Sequence, residues 1–510
     1  MTGGQLNLIA VGSQDIILTG NPEKTFFKTT YSKYSNFGME KYRVDFTGNP
    51  NISEQQSSVY KFQIPRHGEL LMDTYAVMDI PNIWSSFYGN EFTHPYEFQW
   101  IEYLGCMMIE KVEIVSGGTL LQQFSGEYIK NSIERDIEHN KLNQFYSMIG
   151  HTKDIYNPAN AFDRNNNYPN VKYNLSEPSI KGKKLYVPLP FWYTHSSKMA
   201  LPLVHLQYSI IEIIITIRPI KHLYTILDKN GVRKSPNMSD DNEQLYHFVQ
   251  QRKDVYDNFI KDWNLNLHLM NTVAFLDTTE MEFFAKNNHS YLIKDIREIN
   301  YLNVVGTQRI NIESNNLVTS WMWFLRRNDA YKRNEWSNYT NWKYKNKPNV
   351  PMEYDLSRHY TNLPELTSEN NNKFILNKLS ISIDGKIREN EIDADVYSHI
   401  EKFRKCNGSL DDGTYIYSYS INLSNKELQP SGAINLAKFK KIYMDIETIK
   451  PEANPDAKVE TICDIEGNVI GVLDVPQANN YLYGFDFTLF EERYNVIEFT
   501  SGMIGLKYAR

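Results

Sequence analysis

The sequence predicts an all-β protein made of two similar β domains in tandem. Three observations carry this. Strand-like runs recur along the whole chain while helical periodicity is confined to a few stretches; 510 residues are too many for one hydrophobic core; and a strand–turn–strand–helix unit in the first half returns in the second. Composition agrees, because 35 Tyr and 25 Phe supply residue types that favour strands.

The elements follow in chain order. Residues 57–65 (SSVYKFQIP), 70–80 (LLMDTYAVMDI), 109–115 (IEKVEIV) and 206–217 (LQYSIIEIIITI) are short apolar or alternating runs bounded by Pro, Gly or Asn, as half-buried strands require. Helical spacing appears at about 125–149, in the charged stretch 241–263, and at 278–288. Residues 111–133 (KVEIVSGGTLLQQFSGEYIKNSI) read as strand, Ser-Gly-Gly turn, strand and polar helix. Residues 378–400 (KLSISIDGKIRENEIDADVYSHI) repeat that order around Asp384-Gly385, a type I′ hairpin signal because both central positions tolerate positive φ. Three connections are long and polar, at 150–183, 220–264 and 326–372, a length that marks functional loops rather than failed core.

Charge and cysteine content narrow the function. Apolar residues make up 41%, enough for real cores, and the net charge of −7 comes with no basic stripe. A protein that coats nucleic acid by neutralising phosphates needs the opposite balance. Cys106, Cys406 and Cys463 are sparse and lack CxxC spacing, which implies neither a disulfide framework nor a zinc site. The opening residues lack the charged and apolar regions of a secretory leader, and the most apolar run, Ile210 to Ile217, is short and contains Glu212. The expectation is a soluble protein of a reducing compartment.

A search for chemistry returns little. The 12 histidines form no HxH or HExxH pair, and the closest two, His195 and His205, read as structural or exposed. No GxSxG elbow, GxxxxGK[ST] loop or GxGxxG turn occurs. The acid pairs Asp411-Asp412 and Glu491-Glu492 are expected in turns or in solvent. Seven Asn-x-Ser/Thr triplets, first at Asn51 and last at Asn422, are about what chance gives in an Asn-rich chain. No catalytic, cofactor or metal residue is expected.

Against that background a set of ordered blocks is specific. The opening runs from Val11-Gly12-Ser13-Gln14-Asp15 through Gly20-Asn21-Pro22 to Phe26-Phe27-Lys28, then Asn36-Phe37-Gly38-Met39-Glu40. Ile64-Pro65-Arg66-His67-Gly68 follows, and later Val187-Pro188-Leu189-Pro190-Phe191-Trp192 precedes Ala200-Leu201-Pro202-Leu203. The second half contains Gln429-Pro430-Ser431-Gly432-Ala433, then Tyr494-Asn495-Val496-Ile497 and Ser501-Gly502-Met503. In this order, across nearly the whole chain, the blocks resemble the major capsid proteins of nucleocytoplasmic large DNA viruses. Their own chemistry is that of turns: Gly20-Asn21-Pro22 and Pro430-Ser431-Gly432 break the chain sharply, the latter before a strand around Ile434–Ile446.

The resemblance implies a double jelly roll: two tandem eight-stranded jelly rolls with long loop insertions and few short helices. It divides the chain into an N-terminal arm (1–24), a first jelly roll (25–278), a linker helix (279–290) and a second jelly roll (291–510). It assigns the long connections to F–G and H–I of the first domain and D–E of the second, which leave from one end and would form an outward tower above a flat inner face. It further implies a homotrimeric, pseudo-hexagonal capsomer in an icosahedral virion shell, assembled in host cytoplasm. The partners would be neighbouring capsomers, minor capsid and penton proteins and, indirectly, an internal membrane, with no direct contact to nucleic acid and no cofactor. Residues of the family blocks, among them Phe26, Phe27, Asn495 and Gly502, would shape backbone and subunit contacts. A tandem jelly-roll lectin or carbohydrate-active enzyme would share the architecture but needs a carboxylate pair or aromatic platform in a cleft. A minor capsid or penton protein is a closer rival, and a spike protein would carry a secretory signal.

Overall fold

In a computed structural model of the chain, residues 3–508 are described except 86–95, 170–176, 229–230, 250–262, 348–370, 426–427, 455–460, 465, 467 and 473–479. The first domain contributes β1 (Phe37–Asp45), β2 (Ser58–Gln63), β3 (Leu70–Asp79), β4 (Ile109–Ser116), β5 (Thr119–Phe124), β6 (Lys184–Pro188), β7 (Ile211–Ile217) and β8 (His268–Leu276). The second contributes β9 (His289–Val304), β10 (Thr307–Asn311), β11 (Leu317–Arg327), β12 (Leu376–Ile383), β13 (Lys386–Asp393), β14 (Thr414–Ser418), β15 (Ile442–Thr448) and β16 (Phe485–Thr500).

The antiparallel sheets run β1-β8-β3-β6 and β2-β7-β4-β5 in the first domain, and β9-β16-β11-β14 and β10-β15-β12-β13 in the second. Raising each strand number of the first pair by eight reproduces the second. Each pair is a jelly roll, so the repeat seen in sequence is a duplication of the whole sandwich. Alternation explains most strands: β7 and β15 bury every second side chain, and Glu212 points outward from the apolar run. The two repeated hairpins turn as their residues dictate, with Gly117 and Gly118 at φ 54° and 83°, and Asp384 and Gly385 at φ 47° and 78°.

Strand β11 departs from alternation, with almost every side chain buried. Trp321, Trp323 and Leu325 join the core of the second domain, while Met322 and Phe324 join the core of the first. The sheet β9-β16-β11-β14 is therefore covered on both faces, one of them by the other domain.

Helices form at α1 (Gly126–Asp136), α2 (His139–Ile149) and α3 (Thr278–Lys286), the last between the two sandwiches. The charged stretch 241–263 is a correction. Its described part holds two 3-10 turns, Asp241–Glu243 and Leu245–His247, and 250–262 lies outside the described residues. The Asp240 carboxylate caps the Asn242 amide and Glu243 accepts from the Asn237 amide, local bonds that compete with a helix. The run 206–217 is strand only from Ile211, because the Tyr208 amide is diverted to the Gly502 carbonyl of the second domain. The expected strand at 434–446 is interrupted by a 3-10 turn, Leu436–Lys438, whose start the Asn435 side chain caps.

The three long connections lie at F–G, H–I and the second D–E, and their described parts meet at one end. Tyr344 donates to the Arg233 carbonyl at 2.8 Å, Trp336 to the His222 carbonyl at 3.0 Å, and Asn334 to the Lys221 and Tyr224 carbonyls. Residues 80–108, the first D–E connection, join them unannounced, with Tyr168 donating to Phe98 and strand Glu97–Trp100 pairing with Tyr224–Leu227. The opposite end carries the tight hairpin turns, but also the longer connections 189–210 and 419–441.

Candidate functional site: the buried seam between the domains

Helix α1 leaves β5 through Ser125, whose hydroxyl accepts the Tyr128 amide as an N-cap. Its start is pressed against residues 104–107; a Cβ on Gly126 would sit 2.0 Å from the Cys106 carbonyl. The helix is rich in charge, yet Glu127, Lys130, Asn131, Glu134 and Arg135 are all buried. Successive turns of the helix thus bring Glu127, Lys130, Asn131 and Arg135 against the second domain rather than to water.

Glu127, Lys130 and Arg135 each have a partner across the seam, while Glu134 pairs with Lys130 on its own helix and accepts from Tyr146. Arg135 donates to Glu492 Oε1 at 2.8 Å, where Tyr128 also donates at 2.8 Å, and Ser320 donates to Oε2 at 2.8 Å. Burial opposes ionisation of Glu492, but Arg135 and Lys294 outweigh it and push the carboxyl down to about 2. Lys130 Nζ lies 2.5 Å from Asp411 Oδ2 and 3.1 Å from Glu134 Oε2, the latter an ion pair without hydrogen-bond alignment. Lys345 reaches the same Asp411 oxygen at 2.6 Å, and Tyr103 donates to it at 3.0 Å. At the first turn Arg218 and Arg326 hold Glu127 ionised against the cost of burial, so its carboxyl falls below the usual range.

Of the acid pairs expected in turns or in solvent, Asp411-Asp412 does lie at a turn with Asp412 exposed, and Glu491-Glu492 is a correction. Glu491 and Glu492 are buried on opposite faces of β16, Glu491 taking the Trp321 indole N–H at 3.0 Å inside the second domain. The signal was present: Glu491, Glu492 and Arg493 directly follow the apolar Leu489-Phe490 within a long strand, and such residues persist in a core only when paired. Asp411 likewise faces the seam.

The second domain also docks by backbone. The Asn407 and Gly408 amides both donate to the Arg135 carbonyl, at 3.1 and 3.0 Å. A Cβ on Gly408 would fall 2.0 Å from the Glu134 carbonyl oxygen. Gly408→Ala is therefore expected to cost about 1–3 kcal/mol by forcing the loop off the helix end, read as a lowered midpoint in denaturant unfolding.

The residues singled out from sequence are scattered rather than gathered. Gly20, Asn21 (φ 50°), Pro22, Phe26 and Phe27 lie in an arm whose described residues, 3–36, are all exposed, Phe27 to 99%. Pro188 and Pro190 line a cavity of about 380 Å³ with Thr74, Ser132, His195 and Asn425. Pro430, Ser431 and Gly432 (φ 134°) lie in an irregular stretch where the Ser431 carbonyl accepts the Ile421 amide. Buried Asn495 pins the C-terminal segment by donating to the Tyr508 carbonyl, and Ser501-Gly502 closes the hairpin that receives Tyr208. His205 is buried, with Nδ1 3.2 Å from the Phe284 carbonyl. Cys106 and Cys406 are free thiols. Among the described residues no three His, Cys, Asp or Glu are grouped to hold a metal ion.

Comparison with known proteins places these features in a lineage. Residues 25–260 match the family model for the major capsid protein N-terminus, and 280–505 that for the large eukaryotic DNA virus major capsid protein. Capsid protein 1 of Acanthamoeba polyphaga mimivirus is 29% identical over 304 residues, which cover 58% of this chain and 44% of that protein. The major capsid protein of Phaeocystis pouchetii virus is 28% identical over 305 residues, covering 58% and 53%. The chain thus spans about half the length of these curated relatives. The major capsid protein of Paramecium bursaria Chlorella virus 1 matches end to end, at 23% identity over 521 residues. Among solved structures, the PBCV-1 virus capsid in its quasi-atomic form superposes with a TM-score of 0.64 at 17% identity, over 95% of this chain and 100% of that one. At that identity the likeness establishes the fold.

Proposed function

The chain belongs to the family of large eukaryotic DNA virus major capsid proteins, and from that premise we propose that it is the repeating subunit of an icosahedral virion shell. Three copies would close around a three-fold axis into a pseudo-hexagonal capsomer. The observation that carries this reading is the exact repeat of strand order in the two halves. Two equivalent sandwiches per chain turn three-fold symmetry into six similar lateral faces, the geometry that tiles a shell.

A structural subunit acts on no substrate and needs no cofactor. Its interfaces in a closed ring are heterologous and should bury about 2,000–5,000 Å². The clustered long connections form the outward tower in this reading, and the hairpin end faces the interior. The division into arm (1–24), first jelly roll (25–278), linker helix (279–290) and second jelly roll (291–510) is part of the proposal. So are the family-block residues as shapers of backbone and subunit contacts, minor capsid and penton proteins as partners, indirect contact with an internal membrane, and assembly in host cytoplasm. An acidic chain of net charge −7 fits a shell held apart from the genome.

Light scattering on the purified chain tests the central claim. Three copies of 59.7 kDa give a species of about 179 kDa that persists on dilution. A monomer at all concentrations contradicts the capsomer.

A further inference from the structure

We propose that Lys130 and Asp411 condense into an intramolecular isopeptide bond that ties the first domain covalently to the second. Lys130 Nζ is wholly buried and lies 2.5 Å from Asp411 Oδ2, its carboxylate partner 281 residues along the chain. A third group, Glu134, sits one helical turn beyond Lys130, also wholly buried, with Oε2 3.1 Å from the same nitrogen. Aromatic rings wall the site: Nζ is 4.5 Å from the Tyr103 ring centroid and 5.3 Å from that of Tyr339. The inference does not depend on the capsid reading.

An amine and a carboxylate held in contact react with an effective molarity far above that of free solutes. Burial adds a thermodynamic drive, because condensation removes one cation and one anion that are costly to keep out of water. Exclusion of water also disfavours the reverse hydrolysis.

The step balances within the cluster. The pair starts as an ammonium and a carboxylate. Glu134 takes one proton from Nζ, and the neutral amine attacks Asp411 Cγ to form the C–N bond. The oxyanion at Oδ2 is held by the Lys345 ammonium at 2.6 Å and the Tyr103 hydroxyl at 3.0 Å. Glu134 returns its proton to Oδ1, then carries a second proton from Nζ to the same oxygen, and the Cγ–Oδ1 bond breaks to release one water. Burial pushes the Glu134 carboxyl up to about 7. Burial also opposes the charge on Lys130, but Asp411 and Glu134 outweigh it and hold the ammonium, so the proton transfer to Glu134 is an uphill step that precedes attack. Lys345 keeps an acidic neighbour after the reaction, Glu102 at 3.7 Å.

Mass spectrometry of the full chain, purified folded and then denatured, tests this. The expected intact mass is lower than the sequence mass by one water. Since Asp384-Gly385 and Asp412-Gly413 can also lose water as succinimides, the tryptic junction decides: a peptide uncleaved at Lys130 joined to the peptide 406–426. Glu134→Gln, which keeps both reacting groups, should abolish the junction. Recovery of the Lys130 and Asp411 peptides unlinked from the wild-type chain overturns the proposal, and a junction that persists in Glu134→Gln overturns the proton-transfer role of Glu134.

Discussion

Glu492→Ala is expected to destabilise the folded chain by about 3–5 kcal/mol, the cost of removing one partner of a buried ion pair while Asp136 stays paired with Arg135. The substitution strands three donors at once: Arg135 Nη1, the Tyr128 hydroxyl and the Ser320 hydroxyl. The pH dependence points to the same size. The Glu492 carboxyl is lowered in the folded chain from 4.5 to about 2, so its contribution is complete above pH 4.5 and is lost as pH falls towards 2. A displacement of that extent corresponds to about 3 kcal/mol. Urea unfolding at neutral pH should show the loss, and the variant should lack that part of the acid sensitivity between pH 4.5 and 2. Equal unfolding midpoints for variant and wild type would mean that the seam adds no net stability.

Removing residues 1–24, or replacing both Phe26 and Phe27 by Ser, is expected to leave the subunit as stable as before and to stop it assembling. None of the described arm residues is buried, so their loss takes nothing from either core. Phe26 and Phe27 are 88% and 99% exposed, and Leu6, Leu8, Ile16, Ile17 and Leu18 are exposed with them. Apolar side chains gathered on one segment mark a surface that another molecule covers. Burying the two Phe rings on a neighbouring subunit would contribute about 3–6 kcal/mol, or roughly two to four decades in association. Thermal unfolding and light scattering of the variants separate the two effects. A lower midpoint would mean the arm packs on its own chain, and unimpaired assembly would make it dispensable.

Much of the fold was legible before any coordinates. The hairpins at 117–118 and 384–385, the strands β2, β3 and β4, the helices after β5 and between the sandwiches, and the places of the long connections all follow from local pattern. The misreadings share a cause. Residues 241–249 have helical spacing but spend their side chains on nearby backbone, and 206–210 give up strand pairing to meet the Ser501-Gly502 turn. Neither outcome is written in a periodicity.

By itself the sequence determined the strand-rich class and the repeated hairpin, because a two-residue alternation or a turn requiring positive φ is enforced within a few residues of chain, and its ordered blocks carried the resemblance to the family. Only the tertiary structure decided what happens to charge. Helix α1 reads as a polar surface element, and Glu491-Glu492 as a solvent pair, until the second domain is brought against them. Whether an ionised group is tolerated in the interior depends on which opposite charge meets it, and the partners of Lys130 and Arg135 lie 281 and 357 residues away. Charges within a strand can hint that they are buried, but which distant residue answers each one leaves no local trace, so the pairing across the seam could be found only by seeing the two sandwiches packed together.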